Sequence, residues 1–138
     1  MNDASTAGDI DVRLMERALA VRVNAFAPYS AFRVGAAVLD ERGEVHVGCN
    51  VENASYPLGS CAETAAIAAM IAAGGKKIRA IAIAGGCEDI VTCTPCGGCR
   101  QRIAEFADAA TRVLVQDQAL RLKNYSIGEL LPESFHLD

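Results

Sequence analysis

Ser60-Cys61-Ala62-Glu63, answered further along by Pro95-Cys96-Gly97-Gly98-Cys99, is the pair of stretches against which the rest of this chain is read. Three cysteines, two of them spaced C-x-x-C, indicate a metal shell before they indicate disulfides. Three thiolates leave one corner of a tetrahedral zinc open for water, the layout of a catalytic rather than a closed structural site. Glu63, two residues after the first cysteine, is placed to serve that water as acid and base. His46 and His136 lie far from both stretches in sequence and do not compete as local ligands.

Working outward, Ser60 reads as the opening of a helix, with Glu63 three residues on at the spacing of a capping box. Thr64 to Gly75 carries no charge, so this helix is expected to be buried on most sides and to stop at Gly74-Gly75. Pro95 reads as the start of another helix, carrying Cys99, Ile103 and Phe106. Upstream, Asp9 is a cap for a helix whose apolar positions Val12, Met15, Leu19, Val23 and Phe26 recur at helical steps until Pro28. Residues 1–9 are expected to be disordered, and residues 10–138 to form a single catalytic domain. Arg33 to Leu39 and Glu44 to Cys49 form a hairpin around Asp40-Glu41-Arg42-Gly43, while Arg79 to Ala84 and Arg112 to Val115 read as further strands. Ser126 to Leu131 is a helical turn closed by Pro132. Strands alternating with helices predict an α/β fold, a three-layer α-β-α sandwich on a mixed sheet of roughly five strands, with a right-handed crossover.

Composition excludes several classes. The chain is 51% hydrophobic and 22% charged, too apolar for a disordered protein, and 138 residues suffice for one core but not two. Aromatics are 5% and Trp is absent, so Ala, Val, Ile and Leu must build that core. With a net charge of −4 and no basic run longer than Lys76-Lys77, the balance speaks against a nucleic-acid partner. No apolar run approaches a membrane span, and residues 1–13 carry acidic groups without the apolar centre of a secretory leader. A cytoplasmic location with reduced cysteines is the expectation.

Each proposed ligand lies at or near a helix start, where backbone N–H groups favour the anionic form of sulfur. That offsets the negative charge of a three-thiolate shell and keeps a metal-held water acidic. Several residues also have blander readings. Cys49, Cys87 and Cys93 read as small buried hydrophobes, although Cys93-x-x-Cys96-x-x-Cys99 also has the look of an iron–sulfur run. Glu63 alone would be a capping carboxylate; next to a metal ligand in an apolar helix, it reads as functional. Asn50 and Glu52 point to one side if strand geometry persists, offering an amide and a carboxylate to a pair of hydroxyls. On spacing alone an ordinary polar loop serves as well. Phe32 is either a stacking platform or core, and Pro28-Tyr29-Ser30 passes for a turn. A non-enzymatic zinc or redox module on C-x-x-C would need a fourth protein ligand, which neither His supplies.

Together these blocks resemble the short, homotetrameric cytidine deaminases, over residues 10 to 135. Cys61-Ala62-Glu63 with Pro95-Cys96-x-x-Cys99 has the order of the zinc-deaminase signature in its all-cysteine form. Also shared are Pro28 to Ala37, Asn50-Val51-Glu52-Asn53-Ala54-Ser55-Tyr56, Arg100-Gln101, and Glu129-Leu130-Leu131-Pro132 with Phe135. The resemblance implies a cytidine deaminase-like fold with one zinc per subunit on Cys61, Cys96 and Cys99. It implies attack of zinc-bound hydroxide on C4 of free cytidine or 2′-deoxycytidine, with Glu63 shuttling protons and ammonia leaving, in pyrimidine salvage. Asn50 and Glu52 would take the ribose hydroxyls, Phe32 would pack on the ligand, and the Ala62 backbone would face the base. Tyr56 and Phe135 would help from neighbouring subunits of a homotetramer. One departure stands out: many such chains carry Arg directly after the glutamate, where it offsets the thiolates, and this chain has Thr64. Compensation by Arg100 and the helix termini is one expectation, and a less acidic zinc is the other. Deaminases of blasticidin S also lack that Arg, which makes another aminopyrimidine nucleoside the rival substrate.

Overall fold

The computed structural model describes residues 7–137. Its elements in order are α1 (Ala7–Arg22), β1 (Arg33–Asp40), β2 (Val45–Cys49), α2 (Ala62–Ala72), β3 (Ile78–Gly86), α3 (Gly97–Phe106), β4 (Arg112–Gln116), β5 (Leu122–Tyr125) and α4 (Ile127–Leu130). The strands form one sheet in the order β2-β1-β3-β4-β5. β1 is antiparallel to both neighbours, β3 and β4 run parallel, and β5 returns antiparallel at the edge. The expected α/β sandwich on a mixed five-stranded sheet is what forms.

Period-two alternation along the central strands decides which helix covers which face. Ile81 and Ile83 of β3, Val113 and Val115 of β4, and Ala36 and Val38 of β1 pack against Ala62, Ala66, Ile67 and Met70 of α2 and Ile103 of α3. The alternate residues Ala80, Ala82, Ala84, Ala37 and Leu114 pack against Leu14, Met15 and Ala18 of α1. Each fully buried Ile, Leu or Met contributes about 1.5–3 kcal/mol to folding. Alanines on the α1 face contribute less but let the helix sit low. A Cβ at Gly35 would lie 2.0 Å from the Ala18 carbonyl oxygen, so α1 rests directly on β1. On the opposite face a Cβ at Gly48 would lie 2.5 Å from the Ala66 nitrogen, which brings α2 as close to β2. Asp11 of α1 receives a two-pronged hydrogen bond from Arg112 of β4, at 2.8 and 3.1 Å to Oδ1, which sets the helix across the sheet.

Besides adding strand β5, the structure departs from the expected elements at the ends of the helices. Of residues 1–9, positions 1–6 lie outside the described residues, and Ala7 to Asp9 are already in α1, with Asp9 in the first turn where the helix dipole favours an acid. The helix ends at Arg22, short of Pro28, because Phe26 instead bridges to Val51 in extended backbone. Val23 and Phe26 are consequently exposed; within α1, Val12 is on the outer face, and Leu14 and Ala18 join Met15 in the core. Ser60 does not cap α2: its backbone pairs with Val51, and Cys61 is the N-cap. The capping box occurs instead at Ser126 and Glu129, at the start of α4. Likewise α3 is capped by Cys96, one residue after the buried Pro95.

Candidate active site

Helices α2 and α3 begin on the same side of the sheet, and their first turns carry the chemistry. Cys61 is the N-cap of α2, Cys96 is the N-cap of α3, and Cys99 lies in the first turn of α3. The three sulfurs gather within 4.8 Å of one another, the spacing that one tetrahedral ion can bridge. Among the described residues this is the one such cluster of His, Cys, Asp and Glu. Glu63, the second residue of α2, is 5% exposed and stands beside it. Ser60 is paired to Val51, so the expected Ser60–Glu63 capping box does not form at this helix start.

Burial sets the protonation of the group. It pushes Glu63 up from the usual carboxylate range, against the pull of its own backbone N–H, the Cys99 side chain and the charge of Arg102. Burial likewise raises the thiols of Cys61 and Cys99, and the crowding of neighbouring acids adds to it. Cys96 goes the other way, drawn down chiefly by the Cys99 backbone N–H. Three soft thiol donors gathered at two helix N-termini form a donor set suited to zinc. Cys93 stays outside the cluster. Its sulfur fills the space over Gly85, where a Cβ would approach it to 2.8 Å, and burial pushes its thiol up to about 11. Cys49 is half-buried, and Cys87 is exposed in the turn after β3 rather than a buried hydrophobe.

Cys61, Cys96 and Glu63 line a cavity of about 570 Å³, whose wall also includes Asn50, Glu52, Tyr56 and Ala62, with Cys99 buried behind it. Asn50 and Glu52 thus reach the cavity together, but both also hold the chain. Asn50 accepts a hydrogen bond from the Val34 N–H at 2.7 Å and donates to the Phe32 carbonyl at 2.9 Å. Glu52 accepts from the N–H groups of Tyr29 and Ser30 at 2.9 and 3.2 Å and from the Ser30 hydroxyl. These bonds shape the loop in which Ala31 takes a left-handed φ of 60° before Phe32 enters β1. The Phe32 ring is half-buried against Gly85, next to Cys93, and is not part of the cavity lining. Tyr56 is 76% exposed and meets Tyr29 edge-on, with centroids 6.0 Å apart. Phe135 is also exposed, and its backbone is clamped by the Gln101 amide, which donates to its carbonyl at 2.7 Å and accepts its N–H at 3.1 Å.

Sequence reasoning missed Tyr29 and Ser30, which looked like a turn, and Arg102. It also misplaced Arg100. That guanidinium donates to the carbonyls of Pro95 and Leu130, at 2.7 and 2.9 Å, and to Thr94 Oγ1, so it ties the tail to the loop before α3 instead of facing the thiols. Arg102 is the side chain that reaches Cys99. The available signal was its i+3 spacing from that cysteine, one helical turn on.

A three-layer α/β sandwich with a three-thiol cluster and a buried carboxylate at the starts of two helices defines a zinc hydrolase. Residues 9–116 match the sequence model of the cytidine and deoxycytidylate deaminase zinc-binding region. The cytidine deaminase of Mycobacterium tuberculosis is 39% identical over 131 residues, covering 94% of this chain and 93% of the relative. That of Sporosarcina psychrophila is 36% identical over 123 residues, 89% of each chain. The crystal structure of cytidine deaminase from Burkholderia pseudomallei superposes with a TM-score of 0.82 at 40% identity, over 95% of this chain and all of the other. The chain belongs to the cytidine and deoxycytidylate deaminase zinc-binding family, and its cofactor is zinc, one ion per subunit, in keeping with the Cys61, Cys96 and Cys99 cluster.

Proposed function

We propose that the protein hydrolytically deaminates free cytidine and 2′-deoxycytidine to uridine and 2′-deoxyuridine, releasing ammonia, in pyrimidine salvage. The observation that carries this reading is the placement of a nearly buried carboxylate, Glu63, beside three gathered thiols on the wall of a cavity that also presents Asn50 and Glu52. The cavity volume falls in the range of small-ligand sites. Relatives named cytidine deaminase, matching nearly the whole chain, favour cytidine over an analogue such as blasticidin S.

Cys61, Cys96 and Cys99 hold the zinc, which when bound supplies a Lewis acid that makes water a nucleophile near neutral pH. Glu63 takes one proton from the attacking water and delivers it to the ring nitrogen, then takes the second from the hydroxyl added at C4 and delivers it to the departing amine. Its setting in the first turn of an otherwise apolar helix keeps bulk water from competing for that proton. The Ala62 backbone faces the base, and the Phe32 ring, held against Gly85 outside the cavity lining, supports that wall from behind instead of packing on the ligand. Asn50 and Glu52 orient the ribose hydroxyls; their bonds to the Tyr29–Val34 loop fix the side chains in advance, which lowers the ordering cost of binding.

We further propose that residues 10–138 act as a single catalytic domain, in a homotetramer in which Tyr56 and Phe135 complete a neighbour's site. Their exposure, with that of Leu58 and Ile71, supports such a contact. No helix of the described residues is long and apolar enough to cross a membrane. We place the protein in the cytoplasm, where a reducing poise keeps three cysteines available as metal ligands. The reading is tested by ammonia release from cytidine, 2′-deoxycytidine and blasticidin S by zinc-loaded protein. Turnover of the first two with little of the third is expected. Turnover of blasticidin S alone would overturn the substrate.

A further inference from the structure

Zinc held by three thiolates is a net anion, and the nearby Glu63 carboxylate adds to the negative charge around it. Helix N-termini supply only partial charges. A full positive charge comes from Arg102. Its position three residues after Cys99 puts both side chains on one side of α3, and Nη1 donates toward Cys99 Sγ at 3.8 Å. Thr64 Oγ1, on α2, approaches the same sulfur at 4.0 Å. Arg102 and Thr64 share a cleft between α2 and α3, on the outer side of the thiol cluster. Backbone design keeps the path open: a Cβ at Gly98 would come within 3.0 Å of Arg102 Nη1. Arg100, adjacent to Cys99, spends its donors on Pro95, Leu130 and Thr94.

We propose that Arg102 is the positioning residue for the zinc shell: from α3 it donates to the Cys99 thiolate and offsets the charge of the three-cysteine set, in a chain whose α2 offers only the Thr64 hydroxyl on that side. Hydrogen-bond donors of this kind tune both the retention of a metal and the energy of its ligand orbitals. A guanidinium suits the task because it stays charged under all working conditions and its planar fork can meet a large, diffuse acceptor. This inference rests on the zinc reading of the site. It adds that electrostatic support comes from the third residue after the last ligand.

The test compares wild type, R102Q, R102K and the double variant R102Q/T64R, all loaded with zinc. The rate of zinc transfer to a chromophoric chelator is measured, and the thiolate-to-metal charge-transfer band is recorded after cobalt substitution. R102Q is expected to release zinc about 10- to 100-fold faster than wild type. Its cobalt band should move to lower energy, because a sulfur without the donor holds its electrons less tightly. R102K should recover most of the retention, and R102Q/T64R should recover part of it from the other helix. A merely structural Arg102 would lower the thermal midpoint without shifting the cobalt band, and a cation on α2 would not repair it. Zinc release and a cobalt band unchanged in R102Q would overturn the proposal while leaving the zinc site standing. A wild-type protein that takes up no zinc would instead overturn the reading beneath it.

Discussion

Helix α2 runs between two buried carboxylates of opposite character. Asp40, near its C-terminal end, is fully buried and surrounded by donors. His46 Nε2 lies 2.8 Å from Oδ2, Arg42 Nη2 donates to it at 3.0 Å, and the N–H groups of Arg42 and Glu44 donate to Oδ1 at 2.8 and 3.0 Å. Burial alone would raise its pKa, but these bonds outweigh burial and hold the carboxyl well below its usual range. Glu63, near the other end, is also buried; there burial wins and the pKa rises. Depth therefore does not separate a structural acid from a functional one. Donor supply does.

The largest loss of stability is expected at the Asp40 end. Asp40→Asn sets an amide nitrogen among donors and removes the anion that gathers them, at a cost of about 3–5 kcal/mol. Thermal unfolding of zinc-loaded protein should show a midpoint lowered by roughly 10 °C or more. Ammonia release per folded molecule should be unchanged, because Asp40 lies at the far end of the helix from the thiols. If the variant lost activity at full stability, the division between the two ends would be wrong.

The same contrast has a pH dependence. Asp40 binds its proton less readily folded than unfolded, so its stabilisation is complete above its ordinary value of 3.8 and is lost as pH falls through that value toward the lower folded one. Urea titrations should find the gap between wild type and Asp40→Asn steady from about pH 7 to about pH 5, and closing below about pH 4. A gap that widened with acid would contradict the assignment. A smaller effect attends Arg42→Gln. The Arg42 side chain is 41% exposed, and it also donates to the Ala73 carbonyl at the end of α2. Calorimetry should register a loss much smaller than that of Asp40→Asn, as for a solvent-screened pair, with Asp40 keeping its other donors.

How much of this was legible in the sequence depends on the range of the interaction. The β1–β2 hairpin and the apolar strand β3 follow from turn residues and apolar runs over a few positions, and both are as expected. The thiol cluster was legible because two helix starts impose their own spacing, C-x-E and C-x-x-C. Strand β5 was not anticipated: Leu122-Lys123-Asn124-Tyr125 is a polar edge strand recruited by pairing with β4, and its pattern carries little signal. Nor was the end of α1, where long-range pairing of Phe26 with Val51 overrides a helical period. Glu63 lies on the cavity wall with Cys61 and Cys96, but its expected capping partner Ser60 is drawn away by Val51. The hydrogen bonds of Asn50 and Glu52 to the Tyr29–Val34 loop connect residues about twenty positions apart. Periodicity has no access to them. Arg102 faces Cys99 by a turn of α3, a placement that becomes meaningful only once α2 brings Thr64 to the same sulfur.

The central claim is that Glu63 is the proton-handling group of a zinc-dependent cytidine deaminase, and it is tested most directly by ammonia release from cytidine with wild type and Glu63→Gln, zinc content being measured in both. The expected result is a fall of about 10²- to 10⁴-fold in turnover in a variant that still carries one zinc and unfolds no earlier than wild type. A zinc-replete Glu63→Gln that turns over cytidine at the wild-type rate would contradict the account.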